Sequence, residues 1–195
     1  METDITFEEQ YIKKSKTYKM LLIFGMISIL MIFAGLTSAY VVSKSRPDWL
    51  TDFQLPLAFL LSTLVMIGSS VTFIVALKAM KKNNRQLTMI MLVTTLVLGF
   101  IFVFLQFKGF EQVINDGYFF TGSESNVTTS FLYIVVLVHM AHLLGGFISL
   151  LVVIYNHYKQ KYNASQTLGI ELSGMYWHFM DFIWVYLFLF FYFFK

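Results

Sequence analysis

Five blocks of the chain are almost free of charge. Met20–Val42, Phe53–Leu77, Leu87–Phe107 and Phe131–Tyr155 contain no Asp, Glu, Lys or Arg, and Leu172–Phe194 contains only Asp181. The blocks run 23, 25, 21, 25 and 23 residues. A bilayer core of about 30 Å takes about 20 residues of helix to cross. The pattern predicts an all-α polytopic membrane protein with five transmembrane helices, at 20–42, 53–77, 87–107, 131–155 and 172–194. No stretch between them reaches the roughly 50 residues of a separate soluble domain. Residues 20–195 therefore form one transmembrane domain, and residues 1–19 form an N-terminal arm.

The connections have their own signals. Glu2, Asp4, Glu8 and Glu9 stand where a signal peptide would carry positive charge, so the first span is expected to act as the targeting signal. The arm is expected to be helical from Phe7. Ser45-Arg46-Pro47-Asp48 marks a turn, because proline disfavours a helical residue before it. Pro56 is placed in the first turn of span 2, where a missing N–H costs nothing. Lys81-Lys82-Asn83-Asn84-Arg85 reads as a tight loop. Lys108 to Ser130, 23 residues with Glu111, Asp116, Gly117, Gly122, Ser123 and Glu124, reads as a long polar loop. Loops of that length are often functional or partner-bound. Asn126-Val127-Thr128 fits a glycosylation acceptor; were the chain bacterial, the match would be chance.

Composition agrees: 57% of residues are hydrophobic and 13% charged, against about 45–50% and about 25% in soluble domains. Charge adds orientation. Of the 14 Lys and Arg residues, ten fall in the arm, after span 2 and after span 4. Lys44, Arg46, Lys108 and Lys195 fall on the other side. Short loops rich in Lys and Arg stay inside, which predicts a cytoplasmic N-terminus and an outside C-terminus. The net charge of +3 is thereby accounted for, and no basic stripe is left for nucleic acid. Cysteine is absent, which excludes disulfides, thiolate nucleophiles and iron–sulfur ligation. No P-loop, dinucleotide fingerprint, HExxH or nucleophile elbow occurs.

Ionisable groups inside membrane spans are costly and mark function by default. They are His139 and His142 on span 4, and His178 and Asp181 on span 5, with Glu171 at its inner mouth. His157 falls in an inner loop, where solvation accounts for it. Gln54 and Gln106 sit at span ends and need no functional role. From the helical rise, His178 lies roughly 9 Å and Asp181 roughly 14 Å above Leu172, and His142 lies roughly 14 Å above the same face. His142 and Asp181 should share a depth, with Gly145 and Gly146 level with His178 and leaving room for a ring. The expectation is a buried polar patch between spans 4 and 5, with Asp181 accepting a hydrogen bond from His142 or His178. Three chemistries fit such a patch. Histidines converging from facing helices could ligate a metal or haem. Histidine and aspartate could carry protons or ions. The groups could also satisfy one another and fix helix register. The 12 aromatic residues among Tyr176–Phe194 are too deep for an interfacial belt and suggest packing against a partner subunit or ordered lipid. The 11 methionines are scattered and read as lipid-facing or gap-filling side chains.

Leu137-Val138-His139-Met140-Ala141-His142-Leu143-Leu144-Gly145-Gly146 is followed by Gly169-Ile170-Glu171 and by Met175-Tyr176-Trp177-His178-Phe179-Met180-Asp181-Phe182-Ile183-Trp184. These residues resemble subunit III of the haem–copper cytochrome c oxidases in its short, five-helix form, which lacks the first two helices of seven-helix members. Phe33-Ala34-Gly35-Leu36-Thr37-Ser38-Ala39-Tyr40, Leu61-Ser62-Thr63 and Ser69-Ser70 are also similar to the family. The resemblance implies a redox-silent subunit of an aerobic terminal oxidase in the bacterial inner membrane. Such a subunit stabilises the catalytic haem–copper subunit I, contacts other oxidase or supercomplex subunits, binds phospholipid, and supports oxygen access and proton uptake. It implies a lipid-binding and structural polar patch of His139, His142, Glu171, Trp177, His178 and Asp181. No catalytic residue, metal or cofactor is implied in this chain; haem and copper belong to partner subunits. One position departs from the family: Ile29 stands where many members carry a buried Glu. The four histidines and absent cysteines agree, since the haem- and copper-bearing subunits would need more of both. A quinol oxidase or nitric-oxide-reductase subunit, a proton-coupled transporter using His142, His178 and Asp181, and a b-type cytochrome are the alternatives.

Overall fold

A computed structural model describes residues 7–47, 49–50, 55–122 and 126–194. Residues 1–6 of the arm, Asp48 of the first turn, Phe53 and Gln54 at the start of span 2, Ser123 and Glu124 of the long connection, and Lys195 lie outside the described residues. Five helices long and apolar enough to cross a membrane make up the chain: α1 (Phe7–Val42), α2 (Leu57–Lys81), α3 (Arg85–Asn115), α4 (Val127–Tyr158) and α5 (Leu168–Phe193). No strand occurs among the described residues. The protein is an integral membrane protein built as a helical bundle.

Helix α1 is helical from the first described residue, Phe7, and runs without interruption from the arm into the first span. A 3-10 turn, Ser43–Ser45, ends it. Pro56 is the residue before α2 rather than within its first turn, with an extended ψ of 143°. The Lys82–Asn84 turn is as tight as predicted. It is closed by Asn83 at a φ of 56° and by the Asn84 side chain, which accepts the Leu87 N–H.

The predicted 23-residue loop is mostly helix. Helix α3 continues two turns beyond Phe107, because Lys108, Glu111 and Gln112 leave the apolar block without breaking the helix. Phe110 stacks on Tyr133 at 5.0 Å, and Val113 is fully buried. The helix stops only where Gly117 takes a φ of 84°. At the other end, Asn126 Oδ1 accepts the Thr129 N–H and hydroxyl, both at 3.0 Å. The apparent glycosylation triplet is an N-cap.

Helix α5 is the centre of the bundle and α1 its periphery. Half of the apolar window of α5 is buried within the chain, against 11% for α1. Helix α5 packs on α1, α2 and α4, and α2 pairs most extensively with α3. The core runs along α5 through Trp177, Met180, Ile183, Trp184 and Leu187. The aromatic crowding of α5 therefore serves this chain's own core as well as its outer surface. Trp177, Trp184, Phe190 and Phe191 point in, while Phe182, Tyr192, Phe193 and Phe194 are exposed. The methionines divide in the same way, with Met66, Met80 and Met180 fully buried and Met31 exposed.

Candidate functional site

The polar interior is organised by α2. Its Ser62, Thr63, Ser69, Ser70 and Thr72 line the faces that meet α3 and α5. Trp184 Nε1–H donates to Thr63 Oγ1, and Trp177 Nε1–H donates to Ser69 Oγ, both at 3.0 Å. Ser70 Oγ and His178 Nδ1 share a hydrogen bond of 2.6 Å. Toward α3, Gln106 Nε2–H donates to Ser62 Oγ at 2.8 Å, and Thr72 and Thr95 share a bond of 2.8 Å. The hydroxyls also donate back along α2, Ser69 to Met66 O and Thr63 to Phe59 O, at 2.8 Å each. Ser62, Thr63 and Ser69 thus each accept from a neighbouring helix while donating their own proton within α2. The resemblance picks out Ser62, Thr63, Ser69 and Ser70 without giving them this role. The available signal is spacing: Ser62 and Ser69, Thr63 and Ser70, and Trp177 and Trp184 are each seven residues apart, so two antiparallel helices can meet in register along one seam.

The histidines occupy three distinct environments. His139 is fully buried in an aromatic box, its ring centroid 5.1 Å from Trp184 and 6.1 Å from both Phe33 and Phe102. Neither ring nitrogen has a hydrogen-bond partner among the described residues. His142 is half-buried; its Nδ1–H donates to Val138 O at 2.8 Å, and its ring faces Phe33 at 5.7 Å. His178 is half-buried, held by Ser70 and edged by Phe73 at 5.7 Å.

Asp181 is buried with the Ser70 hydroxyl as its polar neighbour, and among the described residues neither of its oxygens has a partner at full hydrogen-bond geometry. The predicted bond from His142 or His178 is not made, because His142 bonds its own helix and His178 bonds α2. The space at Gly145 and Gly146 is taken by other rings. An added Cβ would lie 3.3 Å from Tyr176 Oη at Gly145 and 3.4 Å from Trp177 at Gly146. Tyr176 O–H donates to His142 O at 2.8 Å. The structure thus joins spans 4 and 5 through Tyr176 and Trp177 rather than through Asp181.

Glu171 sits at the lysine-rich end of α5 and ties three helices together. Its carboxylate meets Lys19 of α1 at 2.6 Å and Lys81 of α2 at 3.1 Å, and accepts the Thr167 hydroxyl at 3.0 Å. The lysines are too exposed for a buried charge pair, which makes this a rim clasp.

Two expectations are corrected. His157 is buried in the last turn of α4, and its Nε2–H donates to Arg85 O at 3.0 Å, so it pins the start of α3 rather than lying in a solvated loop. Gln106 is fully buried in α3 and bonded to Ser62, because α3 extends beyond the predicted span end. Gln54 lies outside the described residues.

Among the described residues, no three His, Asp or Glu side chains gather as a metal-binding group. The long-range polar contacts, the Glu171 clasp included, fasten helices to one another. Residues 4–195 match the family model for cytochrome c oxidase subunit III. The chain belongs to that family. It is 32% identical to cytochrome c oxidase subunit 3 of Alkalihalophilus pseudofirmus over 134 residues, which are 69% of this chain and 64% of that relative. It is 27% identical to the Bacillus sp. PS3 protein of the same name, over 80% of this chain and 76% of the relative. A probable quinol oxidase subunit 3 of Staphylococcus haemolyticus is 31% identical over 70% of this chain and 66% of its own length. The chain thus spans slightly under two thirds of the first of these relatives. An oxidase subunit III with no cofactor of its own is compatible with the polar groups described.

Proposed function

We propose that the chain is the redox-silent subunit III of a cytochrome c-type terminal oxidase in the bacterial cytoplasmic membrane. It packs on the catalytic haem–copper subunit I, holds phospholipid, and supports oxygen access and proton uptake during turnover. The lysine-rich end faces the cytoplasm and the C-terminus faces outside, a reading that the distribution of Lys and Arg supports. The observation that carries this reading is the use made of the intramembrane polar side chains. The indoles, Gln106 and His178 each bond a hydroxyl on α2, which suits a scaffold held in one conformation rather than a transporter that must change shape. His139, His142, Glu171, Trp177, His178 and Asp181 serve this scaffold as a structural set, of which the half-buried His142, Glu171 and His178 lie nearest the surface. Purification in mild detergent tests the assignment. Co-elution with a larger, histidine-rich, haem-bearing protein is expected. A lone chain that moves protons or carries its own Soret band overturns it.

The similarity to a quinol oxidase subunit 3 supports a second reading, in which the complex takes electrons from quinol. Oxygen uptake by the purified complex, with reduced cytochrome c in one arm and a quinol in the other, decides between the donors.

A further inference from the structure

Beside the Glu171 clasp, a cavity of about 390 Å³ opens between α1, α4 and α5. Tyr18 and Leu22 line it from α1, Gly145 and Ser149 from α4, and Leu172 and Tyr176 from α5. The volume falls within the roughly 300–1,000 Å³ of small-molecule sites. None of the six lining residues is charged, and the nearby Lys19 is committed to Glu171 at 2.6 Å. Glycine at 145 leaves the α4 wall bare, so the Tyr176 hydroxyl rests against the helix. An added Cβ there would stand 3.3 Å from Tyr176 Oη.

The hydroxyls select the occupant. Tyr176 O–H already donates to His142 O at 2.8 Å, so its oxygen can only accept a further bond. Ser149 Oγ makes no hydrogen bond among the described residues and is able both to donate and to accept. One turn of α4, a rise of about 6 Å, separates Ser149 from Gly145 and the Tyr176 oxygen beside it. That is the span of an aromatic ring with oxygens at opposite ends. The ester oxygens of a phospholipid and the carbonyls of a quinone only accept, and a phosphate would meet no charged lining residue. A hydroquinone brings an O–H to each end. We infer that this cavity binds a membrane hydroquinone, one hydroxyl donating to Tyr176 Oη and the other bonded to Ser149 Oγ. Its apolar tail leaves past Leu144 and Ile148, which are exposed on α4. The hydroquinone is held as a ligand and passes no electron to this chain, so the site stands whichever donor feeds the oxidase.

The full-length chain, with whatever subunits it retains, is equilibrated in oxygen-free nanodiscs with decylhydroquinone carrying a diazirine in its tail. After irradiation, mass spectrometry locates the label. Labelling concentrated on residues 18–22 and 144–152 is expected, and unlabelled decylhydroquinone should displace it. The dimethyl ether of decylhydroquinone, which has no O–H, should need about tenfold more to do so, the worth of a hydrogen bond whose partner is left unpaired. Ser149→Ala should weaken displacement severalfold, and Leu172→Trp, which fills the cavity, should abolish the labelling. Leu60→Trp, in the α2/α5 groove at the opposite end of the bundle, should change neither. Label spread evenly over the lipid-facing helices, equal displacement by the ether, or label that survives Leu172→Trp overturns the proposal. Should a variant fail to fold, the comparison of hydroquinone with ether on the unaltered chain still decides. The label reports occupancy rather than turnover, so a complex that oxidises only cytochrome c overturns the quinol-donor reading and leaves this test in force.

Discussion

A tryptophan inside a membrane bundle brings one N–H that hydrocarbon cannot satisfy. Trp177 and Trp184 both meet that need on α2. Polar contacts between membrane helices average about 0.6 kcal/mol and reach about 1.7, and a donor left unpaired adds its own penalty. Ser69→Ala and Thr63→Ala should therefore each cost about 1 kcal/mol in reversible unfolding from mixed micelles. A double-mutant cycle of Ser69→Ala with Trp177→Phe should recover about half of that as coupling; zero coupling would mean the indole bond contributes nothing. Gly99 is a steric case. An added Cβ would sit 2.9 Å from Phe147 and 3.0 Å from Trp177, both rings in the packed core, so Gly99→Ala should cost about 1–3 kcal/mol in the same assay. The sequence identified His139, His142, His178 and Asp181 as intramembrane groups and could place them by depth, since depth follows from rise per residue. It could not say what they face. Facing depends on rotation about the helix axis, and a helix apolar on every side carries no stripe from which to read it.

At the scale of elements, hydropathy located each span but not the ends of the helices. It marks where a chain can meet lipid, whereas a helix ends where its hydrogen bonds lose partners or a residue turns left-handed. Helix α3 outruns its apolar block up to Gly117, and α1 extends thirteen residues ahead of its own block, from Phe7 to Lys19. The arm of α1 is anchored near its base by the Lys19–Glu171 contact, with Lys81 as the second cation. Lys19 is 36% exposed, so the clasp contributes on the order of 1 kcal/mol and is screened by salt. Glu171→Gln should speed amide hydrogen exchange over residues 12–22 severalfold while leaving the core of α5 protected. High salt should reproduce the effect in the unaltered chain and add little to the variant. Unchanged exchange in Glu171→Gln would show that packing of Phe33 and Tyr40 holds α1 unaided.

The whole molecule has a well-knit interior of α2, α3, α4 and α5 and a lightly held outer helix, α1, whose remaining faces are open to lipid or to a neighbouring subunit. In such a body, a change at the α2/α5 seam acts through rigidity rather than chemistry. His178 is half-buried at that seam and bonded to Ser70, with Asp181 one turn away and deeper in the bundle. Under the proposed function, His178→Ala and Asp181→Asn should leave the haem spectrum and initial turnover of the assembled oxidase near normal. Both should release the subunit more readily in detergent and hasten inactivation during turnover. Ser70→Ala separates the causes, because it removes the partner of His178 while keeping the imidazole. If the hydrogen bond is what matters, Ser70→Ala should match His178→Ala in subunit loss and in the rate of inactivation. If it behaves like the unaltered chain while His178→Ala is impaired, the imidazole itself is required, and the scaffold reading of His178 gives way to a protonic one.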